Sequence, residues 1–268
     1  MSIRSLRRSV SLLALMGALA LAGCETTGTN SMAGGGSNAL PAAPLANDPL
    51  SQAAYWGARY EEDPSDMEMA VRYSSSLRQL GSHEEAVLLM TRITGEGHNE
   101  PDVLVEYAKS LIAVRRGPDA LAPLARAIAQ RPDDWRALSL EGVAHDQAAH
   151  YTHATESYER ALQVSPNNAA ILNNYGLSRA LAGDLDGAEV MLRTAVANPE
   201  ATVQSRQNLA LVLGLQGNFT EAERFSRADL PPEAVANNVE YYRSMLTQPA
   251  AWNQMGETTD EEAVPSGE

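Results

Sequence analysis

The stretch Trp135–Asn168, WRALSLEGVAHDQAAHYTHATESYERALQVSPNN, decides how the rest of the chain is read. It has the pattern of two antiparallel helices, and its small residues recur along the chain at a fixed step of 34. Ala86, Ala120, Ala154, Ala188 and Ala222 lie on that step, as do Ser74, Ala108, Gly142, Gly176 and Ala210. Tyr73, Tyr107 and Tyr175 share a further position, Leu104, Leu138 and Leu172 another, and Pro64, Pro132 and Pro166 fall where units end. A period of this size predicts stacked helix hairpins, each burying its apolar face against its neighbours. The small sites mark where helices approach closely, so a bulky residue at Gly142 or Ala154 would overpack the stack and cost roughly 1–3 kcal/mol. Larger residues such as Leu138, Tyr158 and Leu162 fill the space between them, and Pro166 stops the second helix ahead of the Asn167–Asn168 turn.

The spacing of small, aromatic and proline sites resembles the tetratricopeptide repeat. Leu138 departs from it by standing at the family's large aromatic site, with Trp135 three residues earlier, and His145 stands where the family usually has tyrosine. The expected fold is all-α: a right-handed α-solenoid of tandem hairpins with N- and C-terminal capping helices. The first cap is expected over 50–62, five repeats over about 67–230, and a last helix over 232–247 with Val235, Val239, Tyr242 and Leu246 on one stripe. Trp56 falls in register with Met90, Leu124, Tyr158 and Leu192, so the first cap reads as the second half of a repeat.

Composition narrows the function classes. Of the 268 residues, 44% are hydrophobic but only 5% aromatic, which suits an elongated helical array built from Ala and Leu. The net charge of −14 argues against nucleic acid, whose phosphates require clustered Lys and Arg. A lone cysteine, Cys24, excludes an intramolecular disulfide.

Residues 1–23 carry Arg4, Arg7 and Arg8 ahead of an apolar run from Val10 to Ala22, the pattern of a secretory signal too short to span a bilayer. Leu21-Ala22-Gly23-Cys24 resembles the bacterial lipobox, which implies acylation of Cys24 as the mature N-terminus. Several acyl chains anchor a protein stably where one does not. Glu25 replaces the aspartate that retains some lipoproteins in the inner membrane, so an outer-membrane, periplasm-facing address is expected. Residues 24–49 then form a Gly/Ser/Pro/Ala-rich linker with a reach of roughly 25–30 Å. Residues 248–268 hold five acids and no base and are expected to be disordered.

No nucleophile elbow, phosphate loop or paired Cys-x-x-Cys is present, so no catalytic residue, cofactor or metal is assigned. His145, His150 and His153, beside Glu141 and Asp146, are the only ligand-type cluster. The five-residue step from His145 to His150 does not put both on one helix face, so they are read as polar turn and packing residues. In the tetratricopeptide family the array of first helices binds extended segments. By that resemblance Asn173, Asn174, Gln207 and Asn208, paired by the period, would bond a peptide backbone. Leu177 with Leu211, and Leu181 with Leu215, would add an apolar strip, or else belong to the core. Arg72, Arg78 and Lys109 would give the earlier repeats a positive spot, without reproducing the family's clamp for a terminal carboxylate.

After the repeats come SRADLPPEA, Ser226–Ala234, and NNVEYYRSM, Asn237–Met245. With the lipobox, the linker and the repeats, these resemble the TadD family of tight adherence (Flp/Tad) pilus lipoproteins. The resemblance implies a non-catalytic, pilotin-like factor that localises or multimerises the secretin, with secretin or other Tad components as partners. A scaffold for another envelope machine, such as barrel assembly or another pilus type, and a regulator of cell-wall enzymes are the alternatives.

Overall fold

The computed structural model describes residues 48–247; the signal, Cys24, most of the linker and the acidic tail lie outside the described residues. The described residues contain helices and no strand, and they divide at Ala148/Ala149 into two compact units. The first holds α1 (Pro49–Glu62), α2 (Met67–Leu80), α3 (His83–Gly95), α4 (Pro101–Ala113), α5 (Gly117–Gln130) and α6 (Trp135–Gln147). The second holds α7 (Tyr151–Val164), α8 (Ala169–Leu181), α9 (Leu185–Ala197), α10 (Val203–Leu215), α11 (Phe219–Ser226) and α12 (Pro232–Thr247).

Helix starts keep the 34-residue step. Asp66 Oδ1 accepts from the Glu68 N–H at 2.9 Å, Asp134 Oδ1 from Arg136 at 3.0 Å, Asn168 Oδ1 from Ala170 at 3.0 Å, and Thr202 Oγ1 from Ser205 at 3.1 Å. Each satisfies a backbone donor left over at a helix N-terminus, worth about 1 kcal/mol. Glu100 stands on the same step without a capping bond, and there Pro101 opens α4 and removes one of those donors.

Helix ends keep it too. Gly81, Arg115, Ala149, Gly183 and Gly217, one step apart, all take positive φ, between +56° and +89°. After four of them, Gly81, Arg115, Gly183 and Gly217, the next residue's N–H bonds back five positions: Ser82 to Leu77 at 2.9 Å, Arg116 to Leu111 at 2.8 Å, Asp184 to Arg179 at 2.9 Å and Asn218 to Leu213 at 2.8 Å. This left-handed termination satisfies the last carbonyls and reverses the chain into the next helix. Gly81, Gly183 and Gly217 take that conformation without a Cβ penalty; Arg115 and Ala149 do not.

Burial follows the small sites. Ala86 and Ala120 in the first unit, and Ala154, Ala188 and Ala222 in the second, have no exposed surface. In the first unit Tyr60, Ala70, Leu77, Ala86, Met90 and Ile93 form one core cluster. In the second, Ala188, Leu192, Leu209, Leu213, Ala222 and Tyr242 form another. A Cβ on Gly176 would stand 2.7 Å from Leu192 Cγ, so only glycine allows that approach. Gly142 is buried as expected.

Two apolar residues depart from their register. Met90, Leu124, Tyr158 and Leu192 are fully buried, yet Trp56 is half-exposed and carries the Arg72 guanidinium 4.8 Å from its ring centroid. No helix precedes α1 among the described residues to cover it. On α12, Val235, Val239 and Tyr242 are buried but Leu246, at the last turn, is 46% exposed.

Candidate binding surface on the first helices of the hairpins

In the second unit, α8 and α10 bring the expected amides together, but in pairs with one another. Asn208 Nδ2 donates to Asn173 Oδ1 at 2.8 Å, and Asn173 Nδ2 donates to Asn174 Oδ1 at 3.2 Å. Asn173 and Asn208 are buried, and Asn174 is half-buried. The period that places amides on neighbouring helices thus lets them satisfy each other, as buried polar groups must. Leu177, Leu181, Leu211 and Leu215 are all half-buried, and Leu211 packs against the core cluster beneath. Leu211 therefore supports the core, and all four still show apolar surface.

Gln207 is held from the end of the last repeat. Its Nε2 donates to Asp229 Oδ2 at 3.3 Å. Arg206 binds the same carboxylate, donating from Nε to Oδ2 at 2.8 Å and from Nη2 to Oδ1 at 2.5 Å. The Arg206 guanidinium holds the Asp229 carboxyl below the usual carboxylate range, and burial only partly offsets this. Asp229 stands where Ala127, Ala161 and Ala195 precede it on the step, so the break in small-residue usage was the signal for this contact. It fastens the SRADLPPEA segment to the start of α10.

The positive spot expected in the first unit is largely neutralised. Arg72 bonds Glu68 Oε1 through Nε at 2.9 Å and Nη2 at 2.8 Å. Arg78 grips Glu106 through Nε at 2.8 Å and Nη2 at 3.2 Å, and Lys109 Nζ lies 3.9 Å from the same carboxylate. Ser74 Oγ donates to Glu106 Oε1 at 3.1 Å. Glu106, 2% exposed, is not among the residues the sequence singles out, although it shares the step of Arg72, Asn174 and Asn208. Burying a carboxylate costs several kcal/mol unless it is paired and hydrogen-bonded, and here both conditions hold.

Among the described residues no group of three His, Cys, Asp or Glu side chains could hold a metal. His145 is half-buried on α6; His150 and His153 are exposed, with ring centroids 6.0 Å apart. No helix among the described residues is long and apolar enough to cross a membrane.

Residues 140–202 match the family model for the tetratricopeptide repeat. This stretch is tetratricopeptide repeat. The chain is 33% identical over 82 residues to an uncharacterized protein of Sinorhizobium fredii, covering 31% of this chain and 45% of that protein. It is 35% identical over 98 residues to tetratricopeptide repeat protein 36 of Homo sapiens, covering 35% of this chain and 52% of the relative. The chain thus spans about half the length of these curated relatives. A tetratricopeptide-repeat protein of Thermus thermophilus superposes with a TM-score of 0.57 at 23% identity, over 67% of this chain and 98% of its own. One from Parabacteroides merdae gives 0.56 at 14% identity, over 81% and 88%. At these identities the likeness is one of fold. It agrees with the helix order and establishes the all-α class of tandem repeats expected for the solenoid. Tetratricopeptide repeats in general present surfaces that bind other proteins.

Proposed function

We propose that the chain is a lipid-anchored, non-catalytic scaffold that captures a protein segment on the first helices of its repeats. In the finer reading it is a pilotin-like factor of the Flp/Tad pilus, helping the secretin localise or multimerise. The observation that carries the capture is the α8/α10 face, where Leu177, Leu181, Leu211 and Leu215 stay half-buried beside a mutually satisfied row of amides. Leucines that are neither sealed into the core nor fully exposed give a partner apolar area without reorganising the repeats. Rigid supporting amides keep the cost of ordering that surface low on binding.

Two sequence features support the finer reading. Cys24 in its lipobox would fix the scaffold at the membrane, and the linker would hold the repeats off it. The TadD-like segment after the repeats makes specific contacts of its own, Asp229 with Arg206 and Tyr242 in the core cluster, as a functional part of the domain would. Affinity purification of the acylated protein from solubilised envelopes tests both. Secretin should co-purify with the parent protein and be lost with Leu177→Glu/Leu211→Glu, while Cys24→Ser should abolish labelling by a palmitate analogue. Absence of every Tad component, or binding indifferent to the leucine substitutions, would overturn the corresponding part.

A further inference from the structure

The exposed side of α3 carries a feature that the capture reading does not use. Leu88 is 69% exposed and borders a recess of about 280 Å³ whose other walls are Tyr73, Leu77, Glu85, Leu89 and Arg92. Glu84 and Glu85 stand one turn before Leu88 and Arg92 one turn after it, all exposed on the same side of the helix. Among the described residues none of these three takes part in an ion pair; Arg92 Nη2 donates to the Tyr60 hydroxyl at 3.2 Å. Further along the same side, a Cβ on Gly95 would meet nothing within 4 Å, so the face is unobstructed.

The 34-residue step shows that this combination is specific to α3. The site of Leu88 is held by Ala54, Ala122, Glu156, Val190 and Arg224 in the other second helices. Val190 is also exposed, at 59%, but Asp186 precedes it and Thr194 follows, so no base stands after it. Only α3 has acids before, a large apolar residue in the middle and a base after. An antiparallel copy of the same helix complements that order. A two-fold axis through Leu88 sets the two leucines face to face and places residues equally far on either side opposite one another. Glu84 then meets the partner's Arg92, with Glu85 within reach of the same guanidinium, and the pairing repeats across the axis. A parallel alignment would set acid on acid and arginine on arginine. Helices packed in this way lie about 8–10 Å apart, close enough for each leucine to enter the recess beside the other.

We propose that the chain self-associates through α3, as a two-fold antiparallel helix pair centred on Leu88, with Glu84 and Glu85 of each copy paired to Arg92 of the other. A contact of this kind uses the same patch on both copies and closes at two. One helix pair buries less than a standard interface, so the dimer is weak and concentration-dependent. α3 is the second helix of its hairpin, so the contact uses no residue of the α8/α10 face and does not depend on the capture reading.

The test uses the full mature chain with Cys24→Ser, so that acyl chains cannot drive association. Sedimentation velocity from low micromolar to millimolar protein should show a monomer–dimer equilibrium that weakens as salt is raised. Arg92→Glu, and separately Glu84→Arg with Glu85→Arg, should each raise the dissociation constant about tenfold or more, because each sets like charges opposite one another. All three changes together restore the complementarity and should return the constant to near the parent value, a rescue that a role within one chain would not give. If Arg92→Glu unsettles the fold through its lost bond to Tyr60, the glutamate variant decides the matter. Leu88→Cys should form an inter-chain disulfide under mild oxidation, whereas Val190→Cys should not. A parent that stays monomeric at millimolar concentration would overturn the proposal. So would an equilibrium that the charge variants leave unchanged, or cross-linking at Val190→Cys as ready as at Leu88→Cys.

Discussion

The turns that follow α2, α4, α6, α8 and α10 impose a left-handed residue at five equivalent positions, and only three of them hold glycine. Ala149, at φ +56°, and Arg115, at φ +61°, carry a Cβ against the neighbouring carbonyl. That crowding costs roughly 1–2 kcal/mol per residue. Changing either to glycine removes it but restores backbone freedom to the unfolded chain, which costs about 0.5–1 kcal/mol. The balance predicts that Ala149→Gly and Arg115→Gly each stabilise the protein by about 0.5–1 kcal/mol, against the usual rule that new glycines destabilise. For a domain of this size that is a rise in Tm of about 1–4 °C. The mirror experiment, Gly183→Ala at φ +84°, should lower stability by about 1 kcal/mol, because it adds the same crowding where none exists. Scanning calorimetry of the three variants and the parent, at one protein concentration, checks the set. A loss of stability in both Ala149→Gly and Arg115→Gly, or no change in Gly183→Ala, would refute the turn argument.

Gly176→Ala should cost about 1–3 kcal/mol by urea denaturation, since its Cβ would stand 2.7 Å from Leu192 Cγ; combined with Leu192→Ala, itself costly in a fully buried site, the two losses should sum to less than their separate values, as expected of residues in direct contact. Asn208→Ala should cost about 1–2 kcal/mol by removing the donor to Asn173 Oδ1, and chemical denaturation with far-ultraviolet detection would show it while helicity in water is retained. Asp229 has a folded-state pKa below its unfolded value of about 3.9, so its contribution is present above that value and is lost as pH falls through the folded pKa. Asp229→Asn should therefore be less stable than the parent at neutral pH, and the two should converge as the pH falls below about 4; a gap that persists in acid would contradict the charge pairing.

Much of the architecture is legible before any coordinates. The step that joins Ala86, Ala120, Ala154, Ala188 and Ala222 picks out residues that are all fully buried, because a small site must recur wherever two helices meet closely. The capping set Asp66, Asp134, Asn168 and Thr202 lies on the same step and could have been found by asking which positions repeatedly carry short oxygen-bearing side chains. The binding surface is less legible. Periodicity places Asn173 and Asn208 on adjacent helices, but the same residue type serves equally well for reaching a partner and for reaching its twin. Arg72, Arg78 and Lys109 read as cations in the sequence, and only their distances to Glu68 and Glu106 show how much of that charge is already used.

The helical class, the repeat step and the positions where helices start, reverse and nest are all written in the residue order, because they depend on local backbone chemistry and side-chain size within one or two periods. Which polar groups are spent inside the protein is settled only when the helices pack. Asn208 finds Asn173, Arg78 finds Glu106, and Arg206 finds Asp229 across separations of 35, 28 and 23 residues. A buried hydrogen bond depends on distances of a few tenths of an ångström between side chains on different helices, and a repeat period specifies neighbours without specifying which of their atoms meet.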